Sequence, residues 1–241
     1  MARMGFTFNG IHCEDLGVRV KEVSKSILPS IENQSTDIKY GGWHTGIRVT
    51  PREITISIYI DGLNFYSYEE KVRAVADWLF TETPQRLFLD EEPDIYYEAI
   101  IEGDTDIEQV LWYGEAEITF ICFNPFAVST RQTIISGAGN KKTEITYQGN
   151  AKCFPIVELI FQGEAVKPWI AINDRQLGIQ GTHELGGIFT IDCDTANITA
   201  NGLPALTLLD LTSEYPYLTK GKNIIDTNAD KWNLKYYARY L

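Results

Sequence analysis

Nine acidic side chains follow one another in a short stretch of the sequence without a single Lys or Arg between them. Carboxylates at this density can act as a general acid and base, bind a divalent cation, or form the solvated side of a strand. The acids are Asp90, Glu91, Glu92, Asp94, Glu98, Glu102, Asp104, Asp106 and Glu108. Their spacing is the first test of these three interpretations.

The spacing fits a calcium loop poorly. Asp104, Asp106, Glu108 and Glu115 take positions 1, 3, 5 and 12 of an EF-hand-like count, but Gln109 stands where the loop needs glycine. A carboxylate pair for glycoside hydrolysis cannot be identified from sequence separation, because any acidic surface supplies such pairs. The pattern favours a polar turn followed by a strand with one solvated face.

No catalytic constellation is recognisable elsewhere in the sequence. His12, His44 and His183 lie far apart, and none has the HExxH spacing of a zinc protease. There is no GxSxG nucleophile elbow, and the glycine-rich segment 136–143 misses the GxxxxGK[ST] count of a phosphate loop. The four cysteines lack CxxC spacing, and we predict buried free thiols. The sequence therefore predicts no enzyme, no metal and no cofactor.

Composition and charge limit the class of protein further. The chain has 241 residues, a hydrophobic content of 44% and a net charge of −12. The hydrophobic content is that of a globular protein, and the charge disfavours nucleic-acid binding through a basic surface. No apolar run approaches the roughly 18–20 residues of a membrane-spanning helix, and the N-terminus does not resemble a signal peptide. We expect a chain made in a cytoplasm, without membrane contact.

Strand patterns dominate the first half of the chain. Ile54, Ile56, Ile58 and Ile60 alternate with more polar residues, which predicts a half-buried strand. A single helix is predicted over SYEEKVRAVADWLF. It begins with a capping box and ends before a proline, and Trp78 lies beside its apolar stripe. The residues on which this prediction rests are Ser67, Glu70, Val72, Val75, Ala76, Leu79, Phe80 and Pro84.

The composition changes near residues 127–140, where Ser, Thr, Gly and Asn become frequent. We place a domain junction there. The rest of the chain shows short strands separated by turn residues, which indicates an all-β sandwich. The final WNLKYYARYL is strand-like and either closes this second domain or returns to the first.

The order of these motifs resembles that of the distal tail proteins of siphophages, the long-tailed, non-contractile bacteriophages. The resemblance rests on FTFNGI, LGVRV, PREITISIYI, YEEKVRAVADWLF, GEAEITFICFNPFA and, most specifically, RLFLDEEPDIYYEAIIEG. Near the C-terminus, EYPYLTKGKNII is similar to the family's FP-x-L-x-x-G-x-N stretch, with Tyr215 where Phe is usual and Lys220 where Pro is common. The resemblance covers the whole chain and is strongest over residues 1–128.

This resemblance implies a mainly β fold of two domains. Residues 1–130 are expected to form a tail-tube-like β-sandwich with one α-helix, and residues 131–241 a galectin-like β-sandwich. It also implies a structural virion protein, six copies of which form a ring that joins the tail tube to the tail tip or baseplate. The implied location is the virion tail tip, after assembly in the cytoplasm of the host bacterium.

The resemblance implies several partners. They are other copies of the chain, as a homo-hexamer, the tail tube protein, the tape-measure protein and the tail-associated fibre or lysin. A receptor-binding protein is a further candidate, although the chain has no room for the long arm through which some members hold one. DNA passes through the ring without specific binding. We therefore expect the acids of the opening stretch to face the lumen, where like charge prevents DNA from adhering. They are Asp90, Glu91, Glu92, Asp94, Glu98 and Glu102.

Two alternative functions remain open. The chain could be a carbohydrate-binding module for host-surface glycans, because Trp169, Asn173 and Arg175 lie within seven residues and resemble a sugar-stacking group. Glycan binding that is lost on Trp169→Ala would support it. The chain could also be a cell-wall hydrolase that uses Glu91 or Glu92, and loss of turnover in Glu91→Gln or Glu92→Gln would support that function.

Overall fold

The structure, a computed structural model, describes residues 4–61, 65–103, 107–110, 113–139, 141–183 and 186–241. The chain divides into two compact units, residues 1–128 with Leu241 and residues 129–240. Strands dominate both units, and one α-helix occurs among the described residues. The mainly β, two-domain fold predicted from the sequence is confirmed.

The first unit is built from antiparallel strands around one helix. In this unit, β1 pairs with β2 and β7, and β7 pairs with β8; β6 pairs with β3 and β10, while β10 also pairs with β8 and β9. A separate two-stranded hairpin is formed by β4 and β5. The elements are β1 (Phe6–Phe8), β2 (Ile11–His12), a 3-10 helix (Cys13–Leu16), β3 (Val18–Lys25), β4 (Ile31–Asp37), β5 (Gly42–Val49), β6 (Arg52–Asp61), α1 (Phe65–Leu79), β7 (Gln85–Leu89), β8 (Ile95–Ile101), β9 (Ile107–Val110) and β10 (Tyr113–Cys122).

The core of the first unit follows from alternation along β6. Its four isoleucines, Ile54, Ile56, Ile58 and Ile60, are at most 1% exposed, as their spacing predicts. They share the interior with Ile118 of β10, which pairs directly with Ile56. Strand β6 lies between β3 and β10 and pairs with both of them. Burial of its isoleucine row stabilises the strand in this central position.

Helix α1 packs on the sheet through part of the predicted stripe, since Val75 and Leu79 are buried, and through Trp78 beside it. Ala76 and Phe80 of the predicted stripe are exposed, whereas Trp78 is only 4% exposed. The Trp78 indole Nε1 donates a 2.8 Å hydrogen bond to the carbonyl of Phe8, and its ring stacks on Phe6 with centroids 5.3 Å apart. An indole can be buried when its N–H finds an acceptor, and this bond rotates the helix so that part of the predicted stripe faces solvent.

The second unit is a sandwich of two sheets with a further two-stranded ribbon. One sheet has the order β11-β22-β13-β18-β19-β20, the other β12-β21-β15-β16, and the ribbon is β14-β17. The elements are β11 (Ala127–Ala138), β12 (Thr143–Tyr147), β13 (Ile156–Phe161), β14 (Ala165–Val166), β15 (Trp169–Ile172), β16 (Arg175–Gly178), β17 (Thr182–His183), β18 (Gly187–Asp192), β19 (Asn197–Ala200), β20 (Leu203–Pro204), a 3-10 helix (Leu206–Leu208), β21 (Gly221–Thr227) and β22 (Lys231–Tyr240).

Alternation along β22 closes the core of this sandwich. Trp232, Leu234, Tyr236 and Ala238 are all buried, whereas the side chains between them are more exposed. The final strand predicted from the sequence therefore lies in the second unit, where it pairs with β13.

The four cysteines are buried and unpaired, as predicted. Burial raises the pKa of Cys122 and of Cys193 to about 12 and that of Cys153 to about 11. Each thiol therefore stays protonated near neutral pH and packs as a small apolar side chain. None of the described helices is long and apolar enough to cross a membrane.

Gly139 marks a close approach between two backbone segments of the second unit. Its N–H donates a 2.9 Å hydrogen bond to the carbonyl of Asp230, and an added Cβ would overlap the carbonyl oxygen of Ala229. We expect Gly139→Ala to lower the free energy of unfolding by about 2 kcal/mol or more, because backbone rather than a flexible side chain must move.

The matched control for this change is Gly163→Ala in a turn of the same unit, where an added Cβ meets nothing within 4 Å. Its effect should stay within about 0.5 kcal/mol. Urea unfolding of both variants measures the difference, and equal midpoints would contradict the close approach at Gly139.

Candidate functional site

The acidic stretch lies on the turn between β7 and β8 and along β8. Asp90 forms a 3.2 Å hydrogen bond with His12 Nε2, and Glu92 forms an ion pair with Lys25 Nζ. The backbone N–H of Glu14 donates to His12 Nδ1 at 3.2 Å, so the proton on a neutral His12 lies on Nε2 and points at Asp90. Lys25, which is distant in sequence, partly compensates the charge of this stretch.

The remaining acids of the stretch differ in their surroundings. Glu91, Glu98 and Glu102 are exposed and form no ion pair with any described residue, although Glu98 pairs in register with Arg86 on β7. Asp94 is exposed and has an interaction partner. Among its described side chains, the stretch therefore presents uncompensated negative charge mainly at Glu91, Glu98 and Glu102, and the direction of these side chains relative to a lumen stays a prediction.

The calcium-loop positions lie largely outside the described residues, because Asp104 and Asp106 are not described and nothing is said of the Glu108 side chain. Glu115, the last position of that count, pairs with Lys21 at 2.8 Å. Across the described ranges, no group of three or more His, Cys, Asp or Glu side chains is placed to hold a metal ion.

The strand register separates the three predicted sugar contacts. Trp169 of β15 stands opposite Gly178 of β16, at one end of this hairpin. Asn173 lies in the turn at the other end, beside Arg175, which pairs with Ile172. The Trp169 indole points out of the sandwich, because the alternate residues of β15 are buried. Trp169 therefore does not form one site with the other two residues.

Asn173 and Arg175 have partners inside the second unit. The Asn173 amide donates to Asn223 Oδ1 at 3.0 Å and accepts a 2.9 Å hydrogen bond from the backbone N–H of Ile224. Arg175 Nη1 forms a 2.6 Å ion pair with Glu214. Both side chains stabilise the turn and its neighbours, and sugar contact through the three residues stays a prediction.

The sequence analysis missed the hairpin formed by β4 and β5. Its register joins Ile31 to Val49 near the base and Asp37 to Gly42 at the turn, with a bulge after Gln34. Among the described strands, β4 and β5 pair only with each other. Every residue of the two strands is exposed except Gly46, so neither side of the hairpin is covered.

Large apolar side chains are concentrated on and around this hairpin. Tyr40 is 85% exposed, Trp43 69% and Ile47 58%. A two-stranded hairpin is at best marginally stable alone in water, and a contiguous exposed apolar patch marks an interaction surface. The hairpin with its flanks, residues 27–49, is therefore the strongest candidate assembly surface. Its further exposed apolar residues are Ile27, Leu28, Ile31, Ile38 and Val49.

Two family models match the chain in order. A model described as the phage tail protein RIFT-related domain matches residues 11–122. A model described as the siphovirus-type tail component, C-terminal domain, matches residues 148–240. No curated protein matches the chain in sequence.

A solved structure shows the same fold. The chain is similar to the Dit protein (gp 19.1) of SPP1, described as a paradigm of the hub adsorption apparatus in phages that infect Gram-positive bacteria. The identity is 16%, 99% of each chain is covered, and the TM-score is 0.83. A chain of the phage P2 baseplate in its activated conformation with calcium has 11% identity, coverage of 99% of this chain and 98% of that one, and a TM-score of 0.48.

The sequence motifs, the two family models and the fold agree on one assignment. Each model falls mainly within one of the two units, and together they span most of the chain. A carbohydrate-binding module is not favoured by this agreement. The chain belongs to the distal tail proteins of siphophages and is a structural component of the phage tail.

Proposed function

We propose that this tail protein assembles into a ring of six copies that joins the tail tube to the tail tip or baseplate. The role is structural rather than enzymatic. The observation that carries the proposal is the hairpin of β4 and β5, whose apolar side chains are exposed on both sides in the single chain. A contact with another copy would remove these side chains from water.

The hairpin can mediate a ring contact. It is an extended element that emerges between β3 and β6. If the hairpin contacts a different surface on the next copy, the contact is heterologous, and repeated heterologous contacts close into a ring. Six copies are the number that the family resemblance implies.

The proposed partners are the other components of a tail tip. The ring would contact the tail tube protein on one side and the tape-measure protein and tail-associated fibre or lysin on the other, after assembly in the host cytoplasm. The similarity of the chain to the Dit protein of SPP1, which is described as a paradigm of the hub adsorption apparatus, supports these partners. A receptor-binding protein would have to bind without a long arm, since the connections between strands of the second unit are short.

We further propose that Glu91 and Glu98 face the ring lumen, with Glu102 beside them. They are exposed and have no ion pair among the described residues, so their charge is available to repel DNA. Glu92 contributes less to such a field, because Lys25 compensates it, and Asp90 is hydrogen-bonded to His12.

Ile47→Asp tests the hairpin as the ring contact. It places a charge on a surface that would be desolvated on assembly, so we expect the protein concentration for half-assembly to rise at least about tenfold. Light scattering coupled to size-exclusion chromatography, followed by negative-stain imaging, measures the change.

Ile134→Asp is the matched control, because Ile134 and Ile47 are each 58% exposed and Ile134 lies on β11 in the second unit. The control should assemble like the wild type. If both variants assemble alike, the hairpin is not the ring contact.

Glu91→Lys together with Glu98→Lys tests the proposed lumen. Reversing the charge of exposed acids that face the channel should create measurable, salt-dependent retention of short duplex DNA, at least about tenfold above the wild-type ring at low salt. Fluorescence anisotropy of labelled DNA against ring concentration provides the readout.

The control reverses two exposed acids of the second unit, Glu164→Lys with Asp174→Lys, which changes net charge equally. DNA retention by the first pair alone supports a lumen position for Glu91 and Glu98. Equal retention by both pairs would show that net charge, rather than position, determines DNA contact.

A further inference from the structure

A groove beside helix α1 is a further apolar feature of the first unit. Its volume is about 470 Å³, and it is lined by apolar side chains of α1 and of the end of β8. The lining residues are Val72, Val75, Ala76, Leu79, Phe80, Thr81 and Ile101, with Gly103 at its edge. Phe80 is 78% exposed at its rim, an unusual position for a large aromatic residue.

The groove contains a polar group that lacks a partner. Thr81 Oγ1 is buried and has no hydrogen-bond partner in the described part of the chain. Buried hydroxyl groups are nearly always hydrogen-bonded in folded proteins. Rotation of Thr81 about χ1 would turn this oxygen into the groove, where a side chain with an apolar body and a polar hydrogen would satisfy it. Tryptophan and tyrosine have that combination.

The tip of the hairpin offers such side chains. Trp43 and Tyr40 are 69% and 85% exposed, and Ile38 beside them is 53% exposed. Tryptophan and tyrosine are the residue types most enriched where protein interfaces gain their affinity. The tip and the groove are different surfaces of the same chain. A contact between the tip of one copy and the groove of another is therefore heterologous.

Charge is compatible with the hairpin as the occupant. The chain carries a net charge of −12, so two copies repel each other overall. Residues 27–49 contain two acids, Glu32 and Asp37, and two bases, Lys39 and Arg48, so this segment is neutral. Lys39 in the turn can approach the exposed Glu82, which follows Thr81 directly.

We infer that the hairpin tip of one copy docks in the α1 groove of the next copy, where Thr81 rotates so that its Oγ1 accepts from the Trp43 indole N–H. The inference rests on the proposed ring and names its two mating surfaces. Each copy donates one tip and receives one, which is the arrangement that a closed ring requires.

Ala76→Arg in the full chain tests the groove. Ala76 is exposed and lines the groove, so the longer side chain occupies the site without entering the core. Ala74→Arg is the control, because Ala74 is also exposed on α1 but does not line the groove. We expect a concentration for half-assembly at least tenfold higher for Ala76→Arg and an unchanged value for Ala74→Arg. Phe80→Asp should behave like Ala76→Arg, and circular dichroism confirms that each variant is folded.

A mixture distinguishes this contact from other uses of the hairpin. Trp43→Ala has a defective tip and an intact groove, whereas Ala76→Arg has the opposite defect. Neither should form rings alone, and mixing them should give one-to-one pairs through the remaining good tip and good groove. The docking inference would be overturned if the wild type forms rings and the variants Ala76→Arg and Phe80→Asp form them equally well. That outcome would leave the proposed ring intact. A wild type that stays monomeric at every concentration would overturn the proposed self-assembled ring and the docking with it.

Discussion

The hydrogen bond from Trp78 to the carbonyl of Phe8, with the stacking of the same indole on Phe6, fixes the rotation of α1 on its sheet. Phe120 of β10 completes this aromatic cluster, with its centroid 5.0 Å from that of Phe8. Four aromatic rings from three segments thereby join the N-terminal strand β1, helix α1 and strand β10. Once Trp78 faces inward, Ala76 and Phe80 face outward, and the groove beside the helix is a direct consequence.

Assembly of this tail protein has to overcome its own charge. Copies of this acidic chain repel each other because each carries the same net charge of −12. The desolvation of unpaired carboxylates would also oppose any contact made through β8. The internal pair of Glu92 with Lys25 reduces this charge at the turn, while the neutral hairpin carries the apolar surface. Charge and apolar surface are therefore separated along the first unit, which leaves one region suited to contact and another suited to repel a polyanion.

Local patterns determined much of what could be predicted from the sequence. The alternation of Ile54 to Ile60 gave β6 and its buried face correctly, because a period of two has one physical solution on a half-buried strand. The position of the helix was predicted, but only part of its buried face was. Val75 and Leu79 belong to two overlapping apolar stripes, and the sequence does not show which of the two is buried. The choice between those stripes depended on a carbonyl at Phe8, seventy residues away, which no local pattern contains.

The sequence contains a local signal for the hairpin of β4 and β5. Gly41 and Gly42 form a turn dipeptide between two strand-like segments, which is typical of a hairpin. Its lack of any cover is a property of the tertiary structure, however, and burial cannot be derived from the turn. The same limit applied to Trp169, Asn173 and Arg175, where closeness in sequence placed residues at opposite ends of a strand pair.

The four buried thiols make the chain insensitive to the redox state of its surroundings. Oxidation of cysteine begins from the thiolate, and burial keeps Cys122, Cys153 and Cys193 protonated well above physiological pH. A tail component with these thiols would keep the same covalent structure in a reducing and in an oxidising medium. Its durability in either medium then rests on packing, because the four buried cysteines form no disulfide.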